Sequence, residues 1–306
     1  MPNRMVPRLP SPISLFFADR FRVFDRYSPP TTTNIRVLVF ALVLLVLAVE
    51  TDPVSAQAPE TAPESEVGPL VTDRPTDSAS PLLVPRHAFQ LEAGYKLSRV
   101  EEDSGDIETH VFPDLLLRYG INRKVEARLV AAGWTIEDAA TRKEEGLSDV
   151  SLGAKFALGD ERGRRPQMGL LVDVSLPVGD SDITNDYVIP KVLFLASNTL
   201  TDRLAVTYNL GPSIVMWEDN GERQTDWDFN YAAALGLATG GPVSLFGEFY
   251  GALLSGSGRD DRHNFQLGGT LLLSSRLQID LRGGLGLVDH EPDWLVGAGL
   301  AFRLPY

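Results

Sequence analysis

The 306-residue chain is 43% hydrophobic and 23% charged, a balance that excludes both a disordered polypeptide and a bundle of membrane helices. Its net charge of −13 disfavours nucleic acid as a partner, because phosphate binding needs basic patches that this chain lacks. Cysteine is absent, which removes disulfides and thiolate metal sites and suits export without requiring it.

Near the amino end, Val37 to Val49 form the only long apolar run, behind Arg36 and ahead of Val54, Ser55 and Ala56. A spanning helix needs about twenty residues, so this shorter run reads as the h-region of a signal peptide, cleaved after Ala56 or Ala58. An uncleaved anchor is the alternative. The stretch before Arg36 is long for a signal n-region and has no domain pattern, so residues 1–34 read as preceding the true start. Residues 1–56 are therefore assigned as a leader; without its 6 basic and 4 acidic residues the mature chain carries 22 against 37, a net of −15.

Residues 57–86, "QAPETAPESEVGPLVTDRPTDSASPLLVPR", are rich in Pro, Ser, Thr and acid with little periodicity, the mark of an extended periplasmic segment that does not pack alone. From residue 87 to 306 about twelve strand-like runs follow one another: 88–98, 107–118, 124–135, 147–158, 167–177, 187–198, 203–217, 226–238, 243–254, 263–274, 276–287 and 293–305. Within them apolar and polar residues alternate, as in Leu277, Ile279, Leu281 and Leu285 against Gln278, Asp280, Arg282 and Gly284. A strand sends neighbouring side chains to opposite faces, so one face is wet. That pattern alone serves a soluble sandwich or an outer-membrane barrel equally.

The connections separate the two. Short ones ("YGINRK", "GDERGRRP", "NTLTD", "TGGP", "SSR") alternate with longer acidic ones ("RVEEDSGD", "EDAATRKEEG", "GDSDITND", "EDNGERQTD", "SGSGRDD", "VDHEPD"). Periplasmic turns and longer extracellular loops on an even number of strands are the rule of outer-membrane barrels. Aromatics near strand ends supply a girdle at each interface: Phe89, Tyr119, Phe156 and Phe302 at the turn side, Trp227 and Trp294 at the loop side. The fold expected is a transmembrane antiparallel up-and-down β-barrel of about twelve strands.

On this register the lumen receives Glu92, Lys96, Asp114, Arg118, Glu126, Arg128, Asp149, Lys155, Asp173, Lys191, Asp228, Glu248, Asp280, Arg282 and Arg303, and hardly any charge faces lipid. The mixed signs fit a polar permeation path or a salt-bridged, filled interior, and both remain open. Trp134, Trp217 and Tyr250 fall on the inward register toward the loop side, with Phe246 deeper; their faces could stack on a planar solute or pack under infolded loops.

Residues 72–95, "TDRPTDSASPLLVPRHAFQLEAGY", together with "GLSDVSLGAKF" (146–156) and "LLVDVSLPVGD" (171–180), resemble the outer-membrane transporter family of the meta-pathway of phenol degradation. His87 stands where a glycine is common in that family. The resemblance spans roughly residues 70–306 and implies a barrel that passes small, often hydrophobic or aromatic compounds. The ending "AFRLPY" resembles the C-terminal aromatic signature by which such barrels are recognised for assembly, with Tyr306 where Phe is usual and Pro305 breaking the alternation.

Chemistry finds no footing in the sequence. None of His87, His110, His263 and His290 has a Ser and an Asn or Asp at strand spacing that would form a triad. No phosphate-cradling glycine motif precedes a helix, and no metal-ligand cluster stands out. The expectation is an outer-membrane channel or transporter of a Gram-negative-type bacterium, not an enzyme, with no catalytic residues, metal or cofactor. The alternative is a non-conducting structural or adhesive barrel with a plugged lumen. The partners expected are outer-membrane lipid and lipopolysaccharide, the barrel-assembly machinery and a small solute.

Overall fold

The computed structural model describes residues 70–101, 105–219, 222–256 and 259–304. The leader, the segment up to residue 69 and the terminal Pro305–Tyr306 lie outside the described residues. The strands are β1 (Phe89–Val100), β2 (Ile107–Gly120), β3 (Val125–Ala131), β4 (Trp134–Ala139), β5 (Arg142–Leu147), β6 (Val150–Gly159), β7 (Gln167–Leu176), β8 (Ile189–Thr199), β9 (Leu204–Asp219), β10 (Glu222–Ala238), β11 (Val243–Leu254), β12 (Arg262–Ser274), β13 (Leu277–Gly286) and β14 (Trp294–Arg303). Each pairs antiparallel with its neighbours, and β1 pairs with both β2 and β14. The sheet therefore closes on itself, and among the described strands only β5, which pairs with β4 alone, keeps a free side. Because β3 and β4 together form one stave, and β5 and β6 the next, the wall has twelve staves.

Burial inverts the pattern of a soluble protein. Leu281 is 66% exposed, Phe112 62% and Trp227 57%, whereas Gln90, Glu92, Glu126, Lys155 and Gln266 are wholly inaccessible. Leucines on the outside and carboxylates on the inside are stable only when the outer solvent is hydrocarbon. The girdle residues Phe89 and Tyr119 pack against one another at the turn end, with ring centroids 4.4 Å apart and planes tilted by 31°.

Two of the expected loops are not loops. "EDAATRKEEG" forms most of the β4–β5 hairpin, and the arms of β9 and β10 run on through "EDNGERQTD" until Asp219 faces Glu222. The same region holds a shift in register. In β2 the buried side chains Thr109 and Val111 are odd-numbered, whereas Leu116 and Arg118 are even. The parity changes at Pro113, which has no N–H for the ladder, opposite Gly133 at φ 55°. A Cβ on Gly133 would lie 2.4 Å from the Pro113 carbonyl oxygen, so a larger residue would disrupt this step. Across the stave, Ser148 and Asp149 are both buried where β5 gives way to β6.

Residues 70–86 have no regular secondary structure beyond a single bridge from Arg86 to Gly120. They are extended, as their composition implies, but they run inside the barrel rather than ahead of it. They touch side chains of β1, β3, β6, β9, β11 and β13, which ring the whole wall, so the segment lies within the lumen. His87, at φ 63°, turns the chain from this segment into β1. That left-handed conformation is one glycine adopts without cost. Its N–H donates to the Gly120 carbonyl at 2.7 Å.

Candidate functional site in the barrel lumen

An irregular segment buried in a barrel must find partners for its own backbone, since an unpaired buried N–H or C=O is costly. The inward side chains supply them. Glu92 Oε2 accepts the N–H groups of Asp73 and Arg74 at 3.0 and 2.8 Å. Glu248 accepts those of Asp77 and Ser78 at 2.8 and 2.7 Å, and Glu126 accepts that of Val84 at 2.8 Å. Cations serve the carbonyls: Arg118 donates to Val71 and Leu82 at 3.0 and 3.1 Å, Lys155 to Ser80 at 2.7 Å and Arg282 to Pro75 at 2.9 Å. Asn209 does both for Ala79, accepting at 2.6 Å and donating at 3.0 Å. Mixed charge in the lumen thus has a structural use.

Two side chains of the segment anchor it further. The Asp73 carboxylate meets Arg128 at 2.5 Å and Lys155 at 2.8 Å, with Arg118 at 3.6 Å. Burial alone would raise its pKa, but the cations Arg118, Lys155 and Arg128 outweigh this and hold it well below the usual carboxylate range. Arg74 reaches Asp114 at 2.5 Å and Asp280 at 3.6 Å. Its guanidinium lies against the wall at Gly94, where a Cβ would come within 2.1 Å of Nη2. Asp77 differs. Burial pushes its pKa up to about 7, with Glu248 adding to the rise and Arg282 opposing it. Burial prevails because Arg282 stands off at 3.5 Å and divides itself between Asp77 and Asp114.

The segment fills the turn half of the lumen, and the loop half keeps a cavity of about 160 Å³. Asp173 and Ser175 of β7, Lys191 of β8, Asp228 and Asn230 of β10, Tyr250 of β11 and Asn264 of β12 line it, and Asp77 of the segment forms part of its floor. Counting also Lys96, Arg262, Arg282 and Glu291, the lining carries four carboxylates and four cationic side chains. Asp228 is held by Arg259 at 2.7 Å. Apolar surface comes from Ile189, Leu193, Val215 and Leu295.

The residues expected in the lumen divide between these two halves. Glu92, Asp114, Arg118, Glu126, Arg128, Lys155, Glu248 and Asp280 meet the plug segment, and Arg303 is buried behind Gln90, to which it donates at 3.3 Å. Lys96, Asp173, Lys191 and Asp228 line the cavity, and Arg282 belongs to both halves. Asp149 takes neither role: it accepts hydrogen bonds from Gly179 N, Thr184 Oγ1 and both nitrogens of Asn185 at 2.7–3.0 Å, pinning the 177–188 loop.

Of the aromatics, Tyr250 lines the cavity and Phe246 points inward against Gly268. Trp217 is buried and its Nε1 donates to Asp226 at 2.5 Å. Trp134 is a correction: it is 43% exposed, paired across the ladder with Phe112 on the outer wall. The change of parity at Gly133 turns it outward, while Thr135 takes the inward place. Sequence reasoning missed Asp73, Arg74 and Asp77, which lie outside any periodic run. It also missed Gln90, Asn209, Gln266 and Gln278. Gln90, Gln266 and Gln278 share the inward parity of Glu92 and Asp280, but neutral amides give no charge asymmetry to notice.

The histidines pair with phenols or a carbonyl. His110 and His263 meet Tyr95 and Tyr231 at 2.6 and 2.5 Å, His87 meets Tyr119 at 3.4 Å, and His290 meets the Asp261 carbonyl at 3.0 Å. Among the described residues no group of three or more His, Asp or Glu is placed to hold a metal ion.

Residues 72–304 match the family described as "Putative MetA-pathway of phenol degradation". The chain belongs to this family. The match opens at Thr72 and so takes in most of the segment that runs inside the barrel. Among curated proteins no sequence matches the chain significantly. Among solved structures, an outer membrane channel from Pseudomonas putida F1 is 13% identical with a TM-score of 0.60, covering 75% of this chain and 100% of that one. The NanC porin is 9% identical with a TM-score of 0.51, covering 71% and 100%. The translocator domain of the autotransporter NalP from Neisseria meningitidis is 11% identical with a TM-score of 0.50, covering 70% and 88%. At such identities the likeness shows the fold, a closed outer-membrane β-barrel.

Proposed function

We propose that the protein is an outer-membrane channel for passive passage of small solutes, hydrophobic or aromatic compounds among them, and that it performs no catalysis. It reaches the membrane after export through a cleaved signal peptide and assembles through its C-terminal aromatic. Lipid and lipopolysaccharide contact its apolar wall, the acidic loops face outward and the termini lie in the periplasm. The observation that carries this reading is the division of one closed lumen between an unfilled cavity and a segment that is not part of the wall. Hydrogen bonds and ion pairs with wall side chains and one bridge at Arg86 hold that segment, so it can leave without breaking any pairing between the wall strands.

The alternative, a non-conducting structural barrel, draws support from the density of those same bonds. A tether separates the two readings. The chain has no cysteine, so Ala79→Cys and Asn209→Cys, joined by a short reducible thiol cross-linker, would pin the segment at a point where it already meets the wall. A channel should show conductance in planar bilayers that rises when the linker is reduced. Silence in both states, from barrels with normal heat-dependent gel migration, would establish the structural reading.

A further inference from the structure

The charges that line the loop-half cavity are mostly engaged with one another. Asp228 meets Arg259 at 2.7 Å and Arg262 at 3.9 Å, Asp77 meets Arg282 at 3.5 Å, and Glu291 accepts from Asn264 Nδ2 at 2.8 Å. Lys96 is engaged as well. Lys191 differs. Across the ladder it stands between Asp173 of β7 and Ser213 of β9, yet among the described residues it has neither a hydrogen bond nor an ion pair. Asp173 leans the other way, over Gly153 of β6, where a Cβ would come within 1.8 Å of its Oδ1. Lys191 is only half-buried, and it shares the inward register of β8 with Ile189 and Leu193, which line the same cavity. What remains exposed of it therefore opens onto the cavity. A cation without a partner attracts an anion more strongly between protein walls than in bulk water.

The flanks of Lys191 narrow the ligand further. Toward the loops, Ile189 packs with Val215 of β9. Toward the turns, Leu193 packs on a cluster of Leu171, Leu195 and Ala79 of the plug segment. Along its own strand the charge thus stands between two apolar clusters. A small hydrophilic anion would use the charge and leave the aliphatic surface wet, whereas an uncharged hydrocarbon would cover that surface and leave the ammonium unpaired. A molecule with one carboxylate and a short hydrocarbon body matches both. A cavity of roughly 150 Å³ takes one benzene ring, and this one, at about 160 Å³, limits the body to about that size.

We infer that the cavity is a binding site for small apolar monocarboxylates, with the carboxylate on Lys191 Nζ and the hydrocarbon against Ile189, Leu193 and Val215. The inference rests on the reading of the lumen as a solute path and names a solute class for its outer half.

The test is calorimetric titration of the full mature chain in detergent with benzoate, acetate, benzylamine and toluene as probes, beside single-channel recording of the same preparation. Benzoate should bind at least tenfold more tightly than each of the other three. Lys191→Met keeps the length of the side chain and removes its charge, so benzoate affinity should fall at least tenfold. Lys191→Arg should restore most of it, and Lys143→Met on the exposed β4–β5 hairpin should change nothing. Since Lys191 bonds to no described residue, both variants should show the heat-dependent gel migration of the wild type. Absence of benzoate binding, tighter binding of acetate, benzylamine or toluene, or equal benzoate binding by wild type and Lys191→Met would each overturn the site. A conducting barrel that ignores benzoate would sink the site alone, while a benzoate-binding barrel that stays silent in bilayers would sink the channel reading alone.

Discussion

The two halves of the lumen are built from the same residue types and arrive at opposite states. At the turn end, acids and bases alternate around a peptide and almost every charge has a backbone or ionic partner. At the loop end, similar residues line a cavity of about 160 Å³. What separates the halves is whether a chain passes between the walls. A lumen charge is neither a selectivity filter nor a packing device until its partner is known.

The largest effect is expected where the turn half is densest. Arg118 is fully buried against Glu92 and Glu126, at 3.0 and 2.8 Å. Arg118→Met leaves those carboxylates uncompensated, a loss of about 3–5 kcal/mol for a broken buried network. Chemical unfolding in detergent micelles, followed by tryptophan fluorescence, would measure it; a loss under 1 kcal/mol would mean that water already fills the turn half.

Leu281→Arg tests the wall itself. Leu281 is 66% exposed beside the inward Arg282, and a basic side chain turned toward lipid near the midplane costs roughly 2–4 kcal/mol. The same assay should show this loss, and a neutral result would move the residue out of the hydrocarbon layer.

Glu248→Lys sits at the boundary between the halves. On register alone it is a lumen charge whose reversal tunes ion selectivity with folding nearly intact. In the structure its carboxylate holds Asp77 N, Ser78 N and Gln266 Nε2, so reversal should also dislodge the segment and raise mean conductance several-fold. A shift toward anions without any rise would show that the segment stays seated.

A smaller effect follows pH. A carboxyl whose folded pKa lies above its unfolded value of 3.8 stabilises the seated segment most below that value and loses the contribution as pH rises through about 7. The groups facing Asp77 are Glu248, Arg282, Lys96 and Asp114. Channel opening should therefore increase between pH 5 and 8, and Asp77→Asn should flatten that dependence. An unchanged profile in the variant would assign the titration to another group.

The smallest stability effect belongs to the loop half. Asp173→Asn, at a carboxylate oxygen without a partner, should change unfolding free energy by about 1 kcal/mol or less. A loss comparable to that of Arg118→Met would mean that Asp173 is tied into the structure as tightly as the plug network.

The sequence by itself determined the wall. Alternation has a period of two residues, so each run carries its own record of which face meets lipid, and the spans of β1, β7, β8 and β11 could be read almost to the residue. The shared inward parity of Glu92, Lys155 and Asp280 and the outward leucines follow from that short-range signal, while closure was legible only from the alternation of short and long connections. Only the tertiary structure decided what fills the barrel. Residues 70–86 have no period because their order is imposed by carboxylates and guanidiniums as many as 207 positions away in the chain, and no local pattern encodes a partner at that distance. Trp134 was misplaced for a related reason: parity persists along a strand only while the strand is continuous, and the break at Pro113 and Gly133 resets it. The sequence could list the charges of the lumen, but only their pairing across it divides them into a plug seat and a cavity.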